Sequence, residues 1–331
     1  DSSNLELSDY ANNIISSIPT KLKDRFSYEL LLSEIESNTK VCESVDEAIS
    51  NVLENRNLLK DIGKKNGYKL GISGTHPTSM CIDQSFVSNE SYNWVSDQLG
   101  YYAQRNVTFS IHVHISVPCK ESSIYITNSV RRWLPALLAL STNSPFFEGE
   151  FTGLRSSRTF QFGAFPRTGI PQYIDNYKMY SDIVNNLTNS NAIKNPRHIW
   201  WKVRPNINLG TVELRVFDAQ RSIENVKMIV AISQALIFRI YQDFINNVKL
   251  DKLSVIYLND SLWKAARFGF DCKIYDEAEK KIITIEQHIE ELLNYINKPI
   301  YDFNNESVID RVNWIIKNGT ECDSQIKVYK K

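Results

Sequence analysis

A run that alternates apolar and polar residues can bury one side only by lying as a strand, because successive side chains of a strand leave on opposite faces. Residues 200–218 read WWKVRPNINLGTVELRVFD, and the last eight of them alternate. Val212, Leu214 and Val216 fall on one side, and Thr211, Glu213, Arg215 and Phe217 on the other. The aliphatic side predicts contact with a core. The other side carries a carboxylate and a guanidinium two residues apart. Taken alone, this describes a half-exposed antiparallel strand with a solvated ion pair.

Residues 109–117, FSIHVHISV, weigh against that plain account. Phe109, Ile111, Val113, Ile115 and Val117 form an apolar side, which leaves His112 and His114 together on the other with Ser110 and Ser116. A lone histidine is more often structural than a ligand. Two on one face can hold a metal ion or a phosphate oxygen.

A chain of 331 residues can fill one large domain or two. No repeat, low-complexity tract or linker divides it, so residues 1–331 are expected to form a single domain. Lysine plus arginine number 38 and so do aspartate plus glutamate, which leaves no basic excess for nucleic acid. No run of 18 apolar residues points to a membrane; the best candidate, 229–238, is interrupted by Ser233 and Gln234. The five cysteines are scattered and none stands in a CxxC pair, which fits free thiols in a reducing cytoplasm. The chain opens on Asp1 rather than Met and closes among lysines, so both ends read as trimmed.

Along the chain, 5–17 has helical spacing that stops before Pro19. Residues 28–39 (YELLLSEIESNT) read as partly extended, with Glu34 and Glu36 on one face and Glu29 just before them. Ser44 and Glu47 form a capping box that opens a helix to about residue 65, with Ala48, Val52, Leu59 and Ile62 as its stripe and Gly67 as its stop. A short strand is expected over 69–77, running into a Gly-Thr-His-Pro turn, and a helix over 92–105. A long apolar helix over 123–141 should bend at Pro135, which lacks an N–H. Residues 143–171 form a long segment whose six phenylalanines argue against disorder. Helices are expected over 172–186, 223–244, 284–296 and 307–316, another ends in 263–270, and a strand over 198–204 pairs back through the 206–210 turn. The pattern is that of an α+β chain, with helices packed on one face of a largely antiparallel sheet whose other face stays open.

The chain resembles carboxylate–amine ligases of the type-2 glutamate–cysteine ligase family. The likeness is carried, in order, by ELLLSEIESNT, SGTHP, HVHISV, LPALLALSTNSPFFEGEFTGLRSSR, PRTGIP, WWKVRPNINLGTVELRVFD and WKAARFG, which cover most of 28–270. It implies a glutamine-synthetase-like catalytic sheet whose concave face holds ATP, Mg²⁺ or Mn²⁺ ions and small-molecule amino acid and amine substrates. It implies phosphorylation of a carboxylate and displacement of phosphate by an amine; in the type activity glutamate is joined to cysteine, a step of glutathione biosynthesis. A homodimer stays open as an assembly. By motif, Glu29, Glu36, His112 and Glu213 resemble the metal and phosphate ligands. Arg215 and Arg204 resemble the phosphate-facing arginines, and Arg158 a substrate or phosphate clamp. His114 and Thr75 lie in matching motifs without an assigned role. The residues themselves agree in one respect: the sequence has no glycine-rich phosphate loop, so a triphosphate would have to be held by metal-bound carboxylates and by arginines.

Two other readings stand beside this one. An HxH metal-dependent amide hydrolase would use His112 and His114 and need further ligands from His76, His198 or His288. A catalytically impaired binding paralogue would explain the lack of the family's acidic Glu-x-Glu strand, which is expected upstream in a segment of about 15–40 residues.

Overall fold

The computed structural model describes residues 1–331, save the side chains of residues 90 and 91. Helix α1 (Ala11–Ser17) is shorter than the 5–17 spacing predicts, and Leu5 takes a positive φ of 63°. Strands β1 (Phe26–Tyr28) and β2 (Ile35–Ser37) form an antiparallel hairpin with Ser27 opposite Glu36. The extended reading of 28–39 is corrected here. A turn occupies its middle, so Glu34 precedes β2 and is buried while Glu36 is exposed, and the two do not share a strand face. Helix α2 (Val45–Asn66) starts where Ser44 accepts the Glu47 N–H and ends where Gly67 adopts φ 76°, a conformation that costs glycine little. The box is only half closed, because the Glu47 carboxylate takes the N–H of Glu43 rather than that of Ser44.

The strand expected over 69–77 does not form. Only a single bridge, Thr75 to Thr108, joins the segment to a neighbour, and its job is close packing. Gly74 donates its N–H to the Asn143 carbonyl at 2.9 Å, and a Cβ at Gly74 would stand 2.8 Å from both Asp218 Cγ and Ser144 Cβ. The expected helix 92–105 becomes α3 (Glu90–Leu99) and α4 (Tyr101–Gln104), split at Gly100. Strand β3 (Ser110–Ser116) follows. The apolar helix divides near Pro135 as expected, into α5 (Lys120–Val130) and α6 (Leu134–Ser141) with a 3₁₀ turn between them. The long 143–171 segment holds a small hairpin, β4 (Phe146–Phe147) with β5 (Glu150–Phe151), and a short helix α7 (Ser157–Gly163). Then come α8 (Tyr177–Asn189), β6 (Val203–Asn206), β7 (Thr211–Asp218), α9 (Ile223–Ile245) and α10 (Val255–Phe268). A hairpin that periodicity did not reveal, β8 (Lys273–Asp276) with β9 (Lys281–Thr284), leads to α11 (Ile285–Asp302), α12 (Ser307–Asn318) and α13 (Glu321–Tyr329).

The central sheet is antiparallel in the order β3-β7-β6. Its back carries Val113, Val203, Val212, Leu214 and Val216, which join α6 and α9 in the main core. All eight residues of α6 are buried there. Helix α9 is by length and composition apolar enough to cross a membrane, with mean hydropathy 1.4 over its best window, and half of that window is buried inside the protein. The five cysteines are free.

One irregularity sets the geometry of the front face. Ile111 pairs with Phe217, but Val113 pairs with Leu214, so β7 sets two residues, Arg215 and Val216, opposite His112 alone. Such a bulge shifts the alternation by one beyond it. Phe217 therefore turns into the core at 1% exposure, which corrects the expectation that it shares the face of Glu213 and Arg215.

Candidate active site

Glu213 stands at the centre of the front face because β7 is the middle strand, with His114 paired to it from β3 and Arg204 from β6. Its carboxylate is 1% exposed and fully bonded. Arg204 donates to Oε2 from Nε at 3.0 Å and from Nη2 at 2.5 Å, and Arg215 donates to Oε1. His114 Nε2 and His112 Nδ1 lie 3.6 and 3.7 Å from Oε1. Burial alone would raise the proton affinity of Glu213, but Arg215, Arg204 and the two histidines outweigh it and hold the carboxyl far below the usual range.

The arginines differ in how free they are. Arg204 spends its remaining Nη1 on the carbonyls of Arg197 and Ile199, both at 2.8 Å, so as found it fixes Glu213 rather than facing a ligand. Arg158 is 2% exposed and ties α7 to β7, with Nη2 donating to the Arg215 carbonyl at 3.0 Å and Nη1 to that of Val216 at 3.3 Å. Arg215 keeps a buried Nε without a partner, while its Nη1 touches His112 Nδ1 at 3.3 Å. Both histidines keep about a third of their side-chain area exposed. Burial above all, and then nearby arginines against the pull of Glu213, pushes their proton affinity down, so they are neutral near pH 7.

The acidic residues lie on the first hairpin. Glu36 is exposed and accepts from Ser27 Oγ at 3.1 Å. Glu29 follows β1, half-buried, and its carboxyl is pushed up to about 7 by burial and by the charge of Glu36, with Arg215 pulling the other way. Glu36 and Arg215 both lie near enough to Glu29 for their charges to act on it. Among the described residues no three histidine, cysteine, aspartate or glutamate side chains stand close enough to form a metal cage. A divalent ion would thus rest on the Glu29–Glu36 pair, whose mutual repulsion fits a hard cation, more than on Glu213, whose oxygens are taken by arginines.

Three groups were missed in the sequence. Glu34 is 4% exposed with an unpartnered Oε1, and its proton affinity is raised by burial and by Glu29. Asp218 accepts from the Asn143 N–H at 2.9 Å, Ser144 Oγ at 2.7 Å and Ser156 Oγ at 2.8 Å, so it clamps the 143–158 segment to β7. Lys202 is 2% exposed and unpaired. Asp218 and Lys202 both belong to the alternating stretch, but only the bulge and the cross-strand pairing show where they sit. Thr75 has a structural part: its hydroxyl donates to the Phe146 carbonyl at 2.6 Å.

The profile of glutamate–cysteine ligase family 2 (GCS2) matches residues 5–330. The chain belongs to that family. A relative from Herpetosiphon aurantiacus named for glutamate–cysteine ligase 2 is 31% identical over 325 residues, 98% of this chain and 84% of its own. One from Solibacter usitatus is 33% identical over 308 residues, 93% of this chain and 80% of its own. A crystal structure of glutamate–cysteine ligase from Francisella tularensis in complex with AMP shares the fold, with a TM-score of 0.75 at 14% identity over 100% of this chain and 82% of that one. The α+β fold and membership of a ligase family are thus established.

Among the described residues none of the remaining histidines, His76, His198 or His288, joins His112 and His114 in a group that could hold a metal ion. His76 bonds the Leu5 carbonyl at 3.0 Å, His198 stacks on Trp94 at 4.1 Å, and His288 stacks on Trp133 at 5.1 Å.

Proposed function

We propose that this member of glutamate–cysteine ligase family 2 is an ATP-dependent carboxylate–amine ligase that works through an acyl phosphate. The observation that carries the reading is Glu213, held between Arg204 and Arg215 on an open sheet face with the acidic hairpin beside it. The terminal phosphoryl group of ATP passes to a substrate carboxylate, and an amine then displaces phosphate to leave an amide. Charge on the transferring group shifts during this step, and a fixed guanidinium is worth most where charge develops. What supports that part for Arg215 is its bond to Glu213 together with a buried Nε that has no partner. Glu29 and Glu36 would hold Mg²⁺ or Mn²⁺, which when bound neutralises phosphate charge. The neutral histidines can accept a hydrogen bond without adding charge.

The family name favours glutamate and cysteine as the pair joined, and the AMP complex of the Francisella tularensis enzyme favours an adenine nucleotide. Phosphate release from ATP and Mg²⁺, screened over all pairings of amino acids and small amines, tests this. Release that needs both a carboxylate and an amine, with glutamate and cysteine as the best pair, is the expected result. Release independent of the amine, or none with any pair, would overturn the ligase reading.

A further inference from the structure

Among the described residues, Lys202 is a buried amine without a partner. It lies just before β6, its carbonyl accepting the Arg215 N–H at 2.8 Å, so it sits beside the site rather than on the periphery. It is 2% exposed, and its Nζ has neither a hydrogen-bond partner nor an ion pair. The Phe162 ring of α7 covers the amine at 5.3 Å. The charged groups that face it are Arg158 from α7 and Arg215 and Asp218 from β7. Asp218 is the one carboxylate among them, and it is already spent on Asn143, Ser144, Ser156 and, at 3.7 Å, Arg158.

Arg215 is paired with Glu213 and Arg158 with Asp218, which leaves the Lys202 amine as the one cation of the three without a carboxylate. An unpaired buried cation is costly, and a lysine can escape the cost by giving up its proton. Burial, Arg158 and Arg215 all push Lys202 in that direction, far below the ordinary lysine range. Arg215 Nε is buried without a partner as well. What Lys202 lacks is an anion.

We propose that Lys202 is a phosphoryl-binding residue, whose amine joins Arg158 and Arg215 around an oxygen of a doubly charged phosphoryl group brought to the sheet. The incoming charge makes the ammonium form favourable, and the amine takes a proton from solvent as the ligand binds. The inference rests on the ATP-dependent reading only for the source of the phosphoryl group, either the end of a nucleotide or free phosphate.

Calorimetric titration tests it, with inorganic phosphate, ADP and a non-hydrolysable ATP analogue, each with Mg²⁺ at pH 8 in two buffers of different ionisation enthalpy. Wild type should take up about one proton per ligand bound, as linkage requires of a group charged by binding. Lys202→Met should take up none and bind about 10-fold or more weakly, the factor expected for a lost charge-assisted hydrogen bond. Lys202→Arg, charged in both states, should keep most of the affinity without the uptake. Uptake with phosphate alone marks free phosphate as the source, and uptake confined to the analogue marks the terminal phosphoryl group. No uptake in wild type overturns the proposal, and so does equal uptake in Lys202→Met, which would point to His112 or His114. If Lys202→Met fails to fold, equal uptake in Lys202→Arg overturns it instead. Amide formation by a wild type that takes up no proton would sink Lys202 alone, whereas failure to bind any of the three and to use ATP would sink the functional reading with it.

Discussion

The β1–β2 hairpin and the β3-β7-β6 sheet face are charged in opposite senses, and neither balances itself. On the hairpin side Glu29 and Glu34 are pushed toward their protonated forms by burial and by each other's neighbours. On the sheet side Lys202 is pushed toward its neutral form and Arg158 down to about 10, again by burial among like charges. A structural ion-pair network would have set these groups against each other and left no such residue. On the proposed function, the acidic side would receive cations and the basic side an anion. A metal-bound polyphosphate brings both.

The strongest way to break this comparison is on the basic side. Arg215→Ala should lower kcat by roughly 10²-fold or more, the cost of one preorganised donor, with a much smaller change in KM for ATP. A loss confined to KM would make Arg215 a plain binding residue. On the acidic side, Glu29→Gln should weaken Mg²⁺ or Mn²⁺ binding by about 10- to 100-fold in a manganese titration. Glu36→Gln, at an exposed position, should do less. Equal and negligible effects would move the metal away from the hairpin.

The basic side was legible in the sequence to the extent that strand alternation is. Val212, Leu214 and Val216 lie in the core, and Glu213, His112, His114 and Arg215 meet on one face. Beyond Arg215 the alternation misleads, because a bulge leaves no mark in the residue pattern, and so Phe217 was placed on the wrong side. The acidic side was harder to read, because Phe26–Tyr28 and Ile35–Ser37 are three-residue strands, too short to show a period. Glu34 was therefore set beside Glu36 instead of in the turn. The 69–77 segment misled for another reason: its backbone packs against Asp218 and Ser144 and pairs with almost nothing, a tertiary demand that local pattern does not encode. Helix caps such as Ser44 and Gly67 are local chemistry and were readable as such.

A smaller effect sharpens the comparison by separating it from titrations elsewhere. His198 and His288 are buried, and burial above all pushes both down to about 4. Their proton affinity is lower folded than unfolded, so between pH 6.5 and about 4 the unfolded chain binds more protons, and stability falls as pH falls. Each should contribute at most about 1.4 kcal/mol per pH unit in that window and nothing above pH 7. Urea unfolding at pH 7, 6 and 5 measures the slope, and His288→Phe should reduce it while leaving nucleotide binding at pH 8 unchanged. An unaltered slope would mean that His288 is not buried as the neutral form.

The central claim is that the two sides are completed together by a metal-bound polyphosphate. Thermal unfolding of the wild type with excess ATP, in Mg²⁺ and in EDTA, tests it most directly. Stabilisation should follow ligand concentration in Mg²⁺ and be nearly absent in EDTA, because ATP without a cation sets its charge against Glu29 and Glu36. Equal stabilisation in the two conditions would show that the sheet face binds nucleotide unaided and that the acidic hairpin serves another purpose.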